Sequence, residues 1–341
     1  MDHILETRSL TKIYNKKAAV KNLDLRIKQG EIYGFIGKNG AGKTTAMKMM
    51  CNLAAPTSGE VFFKGMNLAS AMEMRGRIGG LIETPGFLPN MTAYENLKAK
   101  CLFMGVKEKD AVERLLETVN LKHTGSKKAS KFSLGMKQRL GIALALVGNP
   151  DMLFLDEPIN GLDPEGIAEI RELILKLNRE QNITVFISSH ILEELSKIAT
   201  SYGIIHKGEL IRELTHDELM TQCSERIVIK TPHAHLALPV LDKMGYTAYS
   251  SVDAETIEVY ERLDSIPELN SNLIRNGVTI SGITRKNESV EDFFLQLKLA
   301  HFPSQLPVLV LRMDLFHHID GQLGFVRNLI GKVGKAHGSG N

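Results

Sequence analysis

The sequence predicts an α/β fold with a mostly parallel sheet and helices on its faces. Short, largely apolar segments at 32–36, 152–155 and 184–188 alternate with segments of helical periodicity, which is the pattern of a buried parallel sheet. A glycine-rich turn joins the first of these strands to a helix. The last third of the chain has another order of elements, so the 341 residues predict more than one structural unit.

The N-terminal residues alternate between polar and apolar, which predicts antiparallel strands at 4–9 and 18–27 around a turn at Asn15, Lys16 and Lys17. Residues 85–131 have a helical pattern, in which Thr92 and Glu95 predict a capping box. The other predicted elements of this region are strands at 32–36, 60–63, 152–155 and 184–188, and helices at 43–53, 109–119, 135–146 and 164–178.

Beyond about residue 217 the predicted order is strand, helix, strand, strand, helix, strand, which suggests a small ferredoxin-like unit. Its predicted segments are 226–230, 233–243, 247–251, 256–260, 265–276 and 278–284, followed by a helix at 289–297. We therefore predict a first domain at 1–217 with a helical subdomain at about 85–135, an accessory α+β domain at 225–299, and an atypical tail at 300–341.

Composition excludes several classes of protein. The net charge of +3 is too small to indicate a nucleic-acid partner. Three widely spaced cysteines without a CxxC pair argue against a structural zinc site and fit a reducing compartment. No apolar stretch reaches the roughly 18 to 20 residues that span a bilayer, and the N-terminus lacks the layout of a signal peptide. We expect a cytoplasmic protein that does not itself cross a membrane.

Residues 37–44 satisfy the pattern GxxxxGK[ST] in its required context, directly after a buried strand and at the start of a helix. Glycines let backbone N–H groups surround a polyphosphate, and the helix N-terminus adds positive partial charge. Lys43 can reach the β- and γ-phosphates, and the Thr44 hydroxyl can ligate Mg²⁺. The alternative is a chance glycine-rich turn. The predicted nucleotide-binding residues are Gly37, Lys38, Asn39, Gly40, Ala41, Gly42, Lys43, Thr44 and Thr45.

The strand at 152–155 brings two carboxylates, Asp156 and Glu157, to its carboxyl end, where ligands bind in open α/β sheets. Asp156 is the expected carboxylate partner of the magnesium ion. Glu157 is expected to point the other way and to polarise an attacking water as a general base. The alternative is a pair of solvated acids at a strand end. These features by themselves also fit a kinase or a GTPase.

Residues 131–139 read Lys-Phe-Ser-Leu-Gly-Met-Lys-Gln-Arg, which resembles the signature sequence of the ABC ATPase family, a Ser-x-Gly-x-x-Gln core at the start of a helix. Leu134 and Met136 depart from the usual glycine and glutamine. Ser133, Gly135 and the helix N-terminus, which are the phosphate-facing parts, are retained. Without the resemblance, Ser133 is an ordinary N-cap residue.

The resemblance implies a head-to-tail dimer of two ATPase subunits with two ATP molecules and Mg²⁺ between them. In that arrangement Ser133 and Gly135 would bind the partner's ATP, and Asp163, in a segment similar to the family's D-loop, would touch the opposite site. His190 would contact the γ-phosphate and hold Glu157 and the water in line. Tyr14 would stack on adenine. The alternatives are a structural histidine and an exposed turn tyrosine.

Glu83 stands where the family usually carries a glutamine in the loop that senses the membrane partner. A carboxylate there can still ligate Mg²⁺ and accept from water, so we expect Glu83 to act in catalysis and as a metal ligand. It also adds negative charge near ATP, which suggests slower or differently gated hydrolysis. The alternative is a solvated residue at a strand end.

The Ile-Glu-Thr-Pro loop and the signature are similar to the bacitracin-type and lantibiotic-immunity branch of the family. The resemblance implies the motor subunit of an exporter, docked on a separate permease at the inner face of the membrane. Other drug, ion or haem exporters remain open. A soluble ABC ATPase acting on ribosomes or DNA, and a P-loop kinase, are the remaining alternatives. Both explain fewer of the motifs, and neither nucleic acid nor a membrane span is expected for this chain.

Overall fold

The computed structural model describes residues 3–287 and 289–294. The strands are β1 (His3–Tyr14), β2 (Lys17–Lys28), β3 (Ile32–Ile36), β4 (Ser58–Phe63), β5 (Met66–Asn67), β6 (Ile78–Leu81), β7 (Met152–Asp156), β8 (Thr184–Ser189), β9 (Ser201–His206), β10 (Glu209–Thr215), β11 (Arg226–Lys230), β12 (Tyr249–Asp253), β13 (Thr256–Val259) and β14 (Gly282–Lys286). The helices are α1 (Lys43–Met50), α2 (Ala93–Met104), α3 (Ala111–Thr118), α4 (Leu134–Leu146), α5 (Pro164–Gln181), α6 (Leu192–Ser196), α7 (His216–Cys223), α8 (Ala234–Lys243) and α9 (Ile266–Arg275).

The first sheet is antiparallel and has the strand order β2-β1-β4-β5. Tyr14 pairs with Lys17 across a two-residue turn, Asn15 and Lys16, both of which have positive φ (46° and 66°). A type I′ turn requires this conformation, and it matches the twist of the hairpin. The predicted hairpin is therefore present, and both strands extend beyond the predicted bounds.

The second sheet has the order β10-β9-β3-β8-β7-β6, in which all neighbours are parallel except β10, which is antiparallel to β9. Every residue of β3, β7 and β8 is buried, as expected for strands covered on both faces. The mostly parallel sheet is thus confirmed. The carboxyl ends of β3, β8 and β7 are adjacent, so the segments that follow them meet at one edge.

Aromatic side chains form the centre of this sheet's core. The Phe186 ring on β8 lies 5.2 Å from both Phe35 and Phe154, and 5.3 Å from Tyr33, between ring centroids. Such pairs contribute about 0.5–1.5 kcal/mol each beyond burial of their area. This cluster holds β3, β8 and β7 together, and these are the strands that position the site.

Several elements of this region were not predicted: β5, β6, β9, β10, α6 and α7. The segment of β6 is Ile-Gly-Gly-Leu, whose glycines have low strand propensity. Pairing with β7 makes it a strand, and a Cβ on Gly79 would lie 2.1 Å from the Ala145 carbonyl oxygen of α4. Glycine here therefore permits the close approach of a helix, which composition alone does not reveal.

The residues from β11 to β14 form a third, antiparallel sheet with the order β12-β13-β11-β14. Helices α8 and α9 pack on it around a separate apolar cluster that includes Ile227, Ile229, Leu241, Ile257 and Leu269. The ferredoxin-like assignment and the three domain boundaries stay predictions. The tail predicted at 300–341 lies outside the described residues, as does the end of the predicted 289–297 helix.

No helix in the described ranges combines the length and apolarity that crossing a bilayer requires.

Candidate functional site

The loop between β3 and α1 has the backbone conformation that a glycine-rich phosphate loop requires. Gly40 and Gly42 have φ of 79° and 111°, and Gly42 is the N-cap of α1. A Cβ on Gly42 would lie 2.4 Å from the carbonyl oxygen of Ala19 on β2, so a side chain cannot be accommodated. The first turn of α1 carries no acidic residue. The N-terminal N–H groups of α1 thus remain suited to an anion.

Lys43 lies inside this loop with a side chain that is only 5% exposed. Its ammonium donates to the Gly37 carbonyl at 2.7 Å and forms an ion pair with Glu157 Oε1 at 3.0 Å. A buried cation is stable only with such partners. The positive charge is therefore held at the centre of the loop, opposite the Glu157 carboxylate. Glu157 follows β7, which is two strands away from β3 in the sheet.

Asp156 ends β7 and is 5% exposed. Two hydroxyl groups donate hydrogen bonds to its carboxylate. The Thr44 hydroxyl donates to Oδ2 at 2.7 Å, and the Ser188 hydroxyl donates to Oδ1 at 2.5 Å. The predicted pairing of Thr44 with Asp156 is therefore present. Ser188 was not predicted as a site residue, although the polar Ser-Ser ending of an apolar strand was a usable signal.

Glu157 follows Asp156 but has different partners. Its φ of 49° is left-handed, and its N–H donates to the Ser188 hydroxyl at 3.0 Å, so the chain turns sharply after β7. The carboxylate contacts Lys43 through Oε1 and lies 2.7 Å from His190 Nδ1 through Oε2. Because a carboxylate can only accept, Nδ1 carries the proton in this contact.

His190 directly follows β8, and its side chain is 36% exposed. The structure thus joins three predicted residues, Lys43, Glu157 and His190, into one chain of contacts at the edge formed by β3, β7 and β8. A buried cation, a carboxylate and a partly exposed imidazole side by side can bind phosphate and transfer a proton.

Glu83 lies just after β6, and its backbone has a φ of 64°. Its Oε1 accepts from Lys48 Nζ at 2.6 Å, and the side chain is 58% exposed. The structure therefore pairs Glu83 with Lys48 of α1, a residue that was not predicted to take part in the site. The metal-binding role of Glu83 stays a prediction.

Tyr14 is 48% exposed at the end of the hairpin, and Lys12 Nζ lies 5.1 Å from its ring centroid. Its strand partner Lys17 is two residues from Ala19, whose carbonyl lies against Gly42. The hairpin thus borders the phosphate loop. An exposed aromatic ring on that hairpin can stack on a planar ligand.

Ser133 and Asp163 are the N-caps of α4 and α5, and they accept from the backbone N–H groups of Met136 (3.2 Å) and Gly166 (3.0 Å). Both are exposed. Together with Gly135 they line one cavity of about 480 Å³, and none of its lining residues belongs to the loop 37–45. Two helix N-termini therefore share a surface separate from that loop.

Comparison with protein families matches residues 20–160 to the family described as ABC transporter. The chain is 44% identical to the uncharacterized ABC transporter ATP-binding protein YcbN of Bacillus subtilis, over 87% of this chain and 97% of that protein. It is 42% identical to the bacitracin transport ATP-binding protein BcrA of Bacillus licheniformis, over 87% and 98%. The lantibiotic transport ATP-binding protein SrtF of Streptococcus pyogenes is also 42% identical, over 63% and 92%.

A solved structure with a similar fold is the dimeric ATP-binding cassette MJ0796 in a post-hydrolysis state with ADP and Pi. It has a TM-score of 0.57 and 27% identity, and the match covers 62% of this chain and 98% of that one. A second is cbiO1 from Clostridium perfringens, part of the ABC transporter complex cbiONQ, with a TM-score of 0.59, 26% identity, and coverage of 65% and 92%.

Proposed function

Because the chain belongs to the family of ABC transporter ATP-binding proteins, we propose that it is the ATPase subunit of an exporter of antimicrobial peptides. One observation carries this proposal. The phosphate loop and the residues Asp156, Glu157 and His190 meet at one edge of the sheet, in a chain that matches BcrA over 98% of that protein.

ATP binding is assigned to the loop 37–45. Its backbone N–H groups and the N-terminus of α1 would surround the phosphates, and Lys43 would neutralise the β- and γ-phosphates. Phosphate would compete with Glu157 for the ammonium group, since the two now form an ion pair at 3.0 Å. Tyr14 would stack on adenine from the neighbouring hairpin.

The oxygen donors at Thr44 and Asp156 fit Mg²⁺. Their 2.7 Å contact brings a hydroxyl and a buried carboxylate together, which is the hard donor set that this ion prefers. Within the described residues no group of three His, Cys, Asp or Glu side chains could hold a metal ion. Phosphate and water would therefore supply most ligands, as is common for Mg²⁺. When bound, the ion would stabilise negative charge on the β- and γ-phosphates.

Glu157 is proposed as the general base and His190 as its positioning partner and γ-phosphate contact. Glu157 can accept a proton from the attacking water once Lys43 turns to phosphate. His190 donates its Nδ1 proton to the Glu157 carboxylate. Because a neutral imidazole has only one N–H group, donation from Nε2 to a phosphate oxygen as well requires the imidazolium form.

Ser133, Gly135 and Asp163 are proposed to face the ATP of a second subunit. Two observations support this: their surface does not include the phosphate loop, and the fold resembles a dimeric cassette. Each ATP would then be bound between the loop 37–45 of one subunit and the α4 N-terminus of the other. Such a head-to-tail pair has two equivalent sites and is closed by symmetry.

A separate membrane permease is proposed as the third component. A cleft of about 320 Å³ is lined by the loop after β6 and by α2 and α4, including Ile82, Gly86, Lys100, Met104 and Leu144. Its size and partly apolar lining suit a short helical segment of a partner. Through this contact the chain would work at the inner face of the cell membrane.

The peptide substrate is proposed from the similarity to BcrA and SrtF. The test is deletion of the gene in its native host, followed by measurement of the minimum inhibitory concentrations of bacitracin and of lantibiotics. We expect increased sensitivity to at least one peptide, restored by the wild-type gene but not by a gene encoding Glu157→Gln. Unchanged sensitivity to all of these peptides, with the ATPase present in the wild-type membrane, would instead favour a drug, ion or haem exporter.

A further inference from the structure

The Lys48–Glu83 ion pair joins the phosphate-loop helix to the loop after β6. Lys48 Nζ and Glu83 Oε1 are 2.6 Å apart, and the side chains are 33% and 58% exposed. A glutamine at position 83 would be neutral and could not form an ion pair with Lys48. The ion pair therefore requires both the positive charge of Lys48 and the negative charge of Glu83.

Lys48 and Thr44 are four residues apart on α1, so their side chains lie on the same face of the helix. The rise between them is about 6 Å, or roughly one turn. Thr44 is the residue that bonds to Asp156, where we propose that Mg²⁺ binds. The backbone of Lys48, whose ammonium group pairs with Glu83, is thus about one helical turn along α1 from Thr44 at the proposed cation site.

The two carboxylates differ in their freedom to move. Asp156 is 5% exposed and held by two hydroxyl groups, whereas Glu83 is largely exposed with Lys48 as its partner. An exposed side chain can change rotamer rapidly. Glu83 can therefore leave Lys48 and return to it through changes of rotamer, while Asp156 stays in position.

We propose that Lys48 is a positioning residue that competes with Mg²⁺ for the Glu83 carboxylate. While the ion pair is closed, the negative charge of Glu83 is neutralised and kept away from the phosphates. The carboxylate reaches the cation site only when the pair opens, so the pair sets the Mg²⁺ concentration that the site requires. This inference rests on the proposed ATP and Mg²⁺ site.

A simpler role for Lys48 gives a different expectation. Lys48 is the basic residue in the last turn of α1, where a positive charge stabilises the helix dipole. If that were its whole function, its removal would lower stability and leave the Mg²⁺ requirement unchanged, whichever residue stands at position 83.

The test is the binding of a fluorescent ATP analogue to the full-length protein, titrated with Mg²⁺ at a fixed analogue concentration. For Lys48→Met we expect the Mg²⁺ concentration for half-maximal binding to fall about two- to fivefold, the range that corresponds to the loss of one exposed ion pair. Lys48→Arg should restore the wild-type value, because arginine can also pair with Glu83. In a Glu83→Gln background, Lys48→Met should have no effect.

Lys64→Met is the matched control. Lys64 pairs with Asp151 at the same distance of 2.6 Å, and its side chain is 34% exposed. Asp151 precedes β7 and so lies at the opposite end of that strand from Asp156, which is at the proposed cation site. An unchanged or increased Mg²⁺ requirement in Lys48→Met, or the same decrease in the Glu83→Gln background, would overturn this inference alone. If Mg²⁺ had no effect on wild-type binding, the proposed cation site would be wrong and the inference with it.

Discussion

At the scale of single residues, the backbone after β7 separates the roles of two adjacent carboxylates. Asp156 lies within the strand and accepts from Thr44 and Ser188 hydroxyls. Glu157 takes a left-handed φ of 49°, which is costly for a residue with a Cβ, and so turns its carboxylate to Lys43 and His190. Strain of this kind is typical of functional positions, where the surrounding contacts stabilise it.

Glu157→Gln tests the role of the general base. We expect ATP hydrolysis to fall about 10²- to 10⁴-fold, because glutamine cannot accept the proton of water, while ATP binding is retained. Binding should become tighter, since Lys43 no longer has a carboxylate at 3.0 Å that competes with phosphate. Phosphate release and equilibrium ATP binding measure the two effects.

The matched control for this prediction is Glu180→Gln, which changes an exposed glutamate on α5. It should leave both quantities at the wild-type level. A Glu157→Gln protein that hydrolyses ATP at more than about a tenth of the wild-type rate would exclude Glu157 as the base.

At the scale of elements, four of the helices begin where a side chain accepts a backbone N–H. The N-caps of α2, α4, α5 and α7 are Thr92, Ser133, Asp163 and Thr215. Thr92 forms the full capping box with Glu95, whose carboxylate accepts the Thr92 N–H at 2.7 Å. The predicted capping box is confirmed. Because Lys100 and Met104 of α2 line the cleft proposed for the permease, this cap also positions that proposed surface.

Thr92→Ala should lower the free energy of unfolding by about 1 kcal/mol, because the Glu95 N–H in the first turn of α2 loses its acceptor, the Thr92 hydroxyl. Urea denaturation followed by circular dichroism measures this effect. Thr92→Ser, which keeps the hydroxyl, should cost much less. Equal losses for both variants would mean that the methyl group, and not the cap, is responsible.

Acid should weaken the same cap. The pKa of Glu95 lies below its ordinary value of 4.5, first because of the Thr92 backbone hydrogen bond and then because of Lys128. A lowered pKa in the folded state means that the contribution of Glu95 is present above about pH 4.5 and is lost as the pH falls through the lowered pKa. The destabilisation caused by Glu95→Ala should therefore be smaller near pH 4 than at pH 7.

At the scale of the whole molecule, the phosphate loop and the N-termini of α4 and α5 lie on separate surfaces of one chain, which we propose to be the two halves of an ATP site. Lys43 and Glu157 belong to one half, and Ser133, Gly135 and Asp163 line the other. A head-to-tail dimer would complete both sites by symmetry. A single chain would then bind ATP without being able to hydrolyse it efficiently.

Mixing two inactive variants tests this arrangement. Lys43→Ala removes the phosphate-loop charge, and Ser133→Arg blocks the α4 N-terminus, so each homodimer should lack activity. An equimolar mixture should recover about a quarter of the wild-type ATPase rate, since about half of the dimers are mixed and each has one intact site. ATPase assays of the mixture and of each variant alone measure this. No recovery, with mixed dimers present in solution, would contradict the head-to-tail arrangement.

The loop 37–45, the buried strands and the Thr92 cap were predictable because their signals are local. A glycine pattern, an apolar run or a capping box involves residues close together in the chain. The interactions of Lys48 with Glu83, and of Ser188 with Asp156, join residues 35 and 32 positions apart. No periodicity in one sequence reports such contacts. For the same reason β6, with two glycines among its four residues, was not predicted.

The sequence by itself determined the phosphate loop, the two carboxylates after β7 and the buried strands β3, β7 and β8, because these depend on residue type and short spacing. Tertiary structure decided which side chains touch. The parallel pairing of β3, β8 and β7 brings Lys43, Glu157 and His190 together. The left-handed turn at Glu157 directs its carboxylate toward Lys43 and His190. These contacts arise only when distant segments pack against one another, since sheet pairing aligns strand ends that are far apart in the chain.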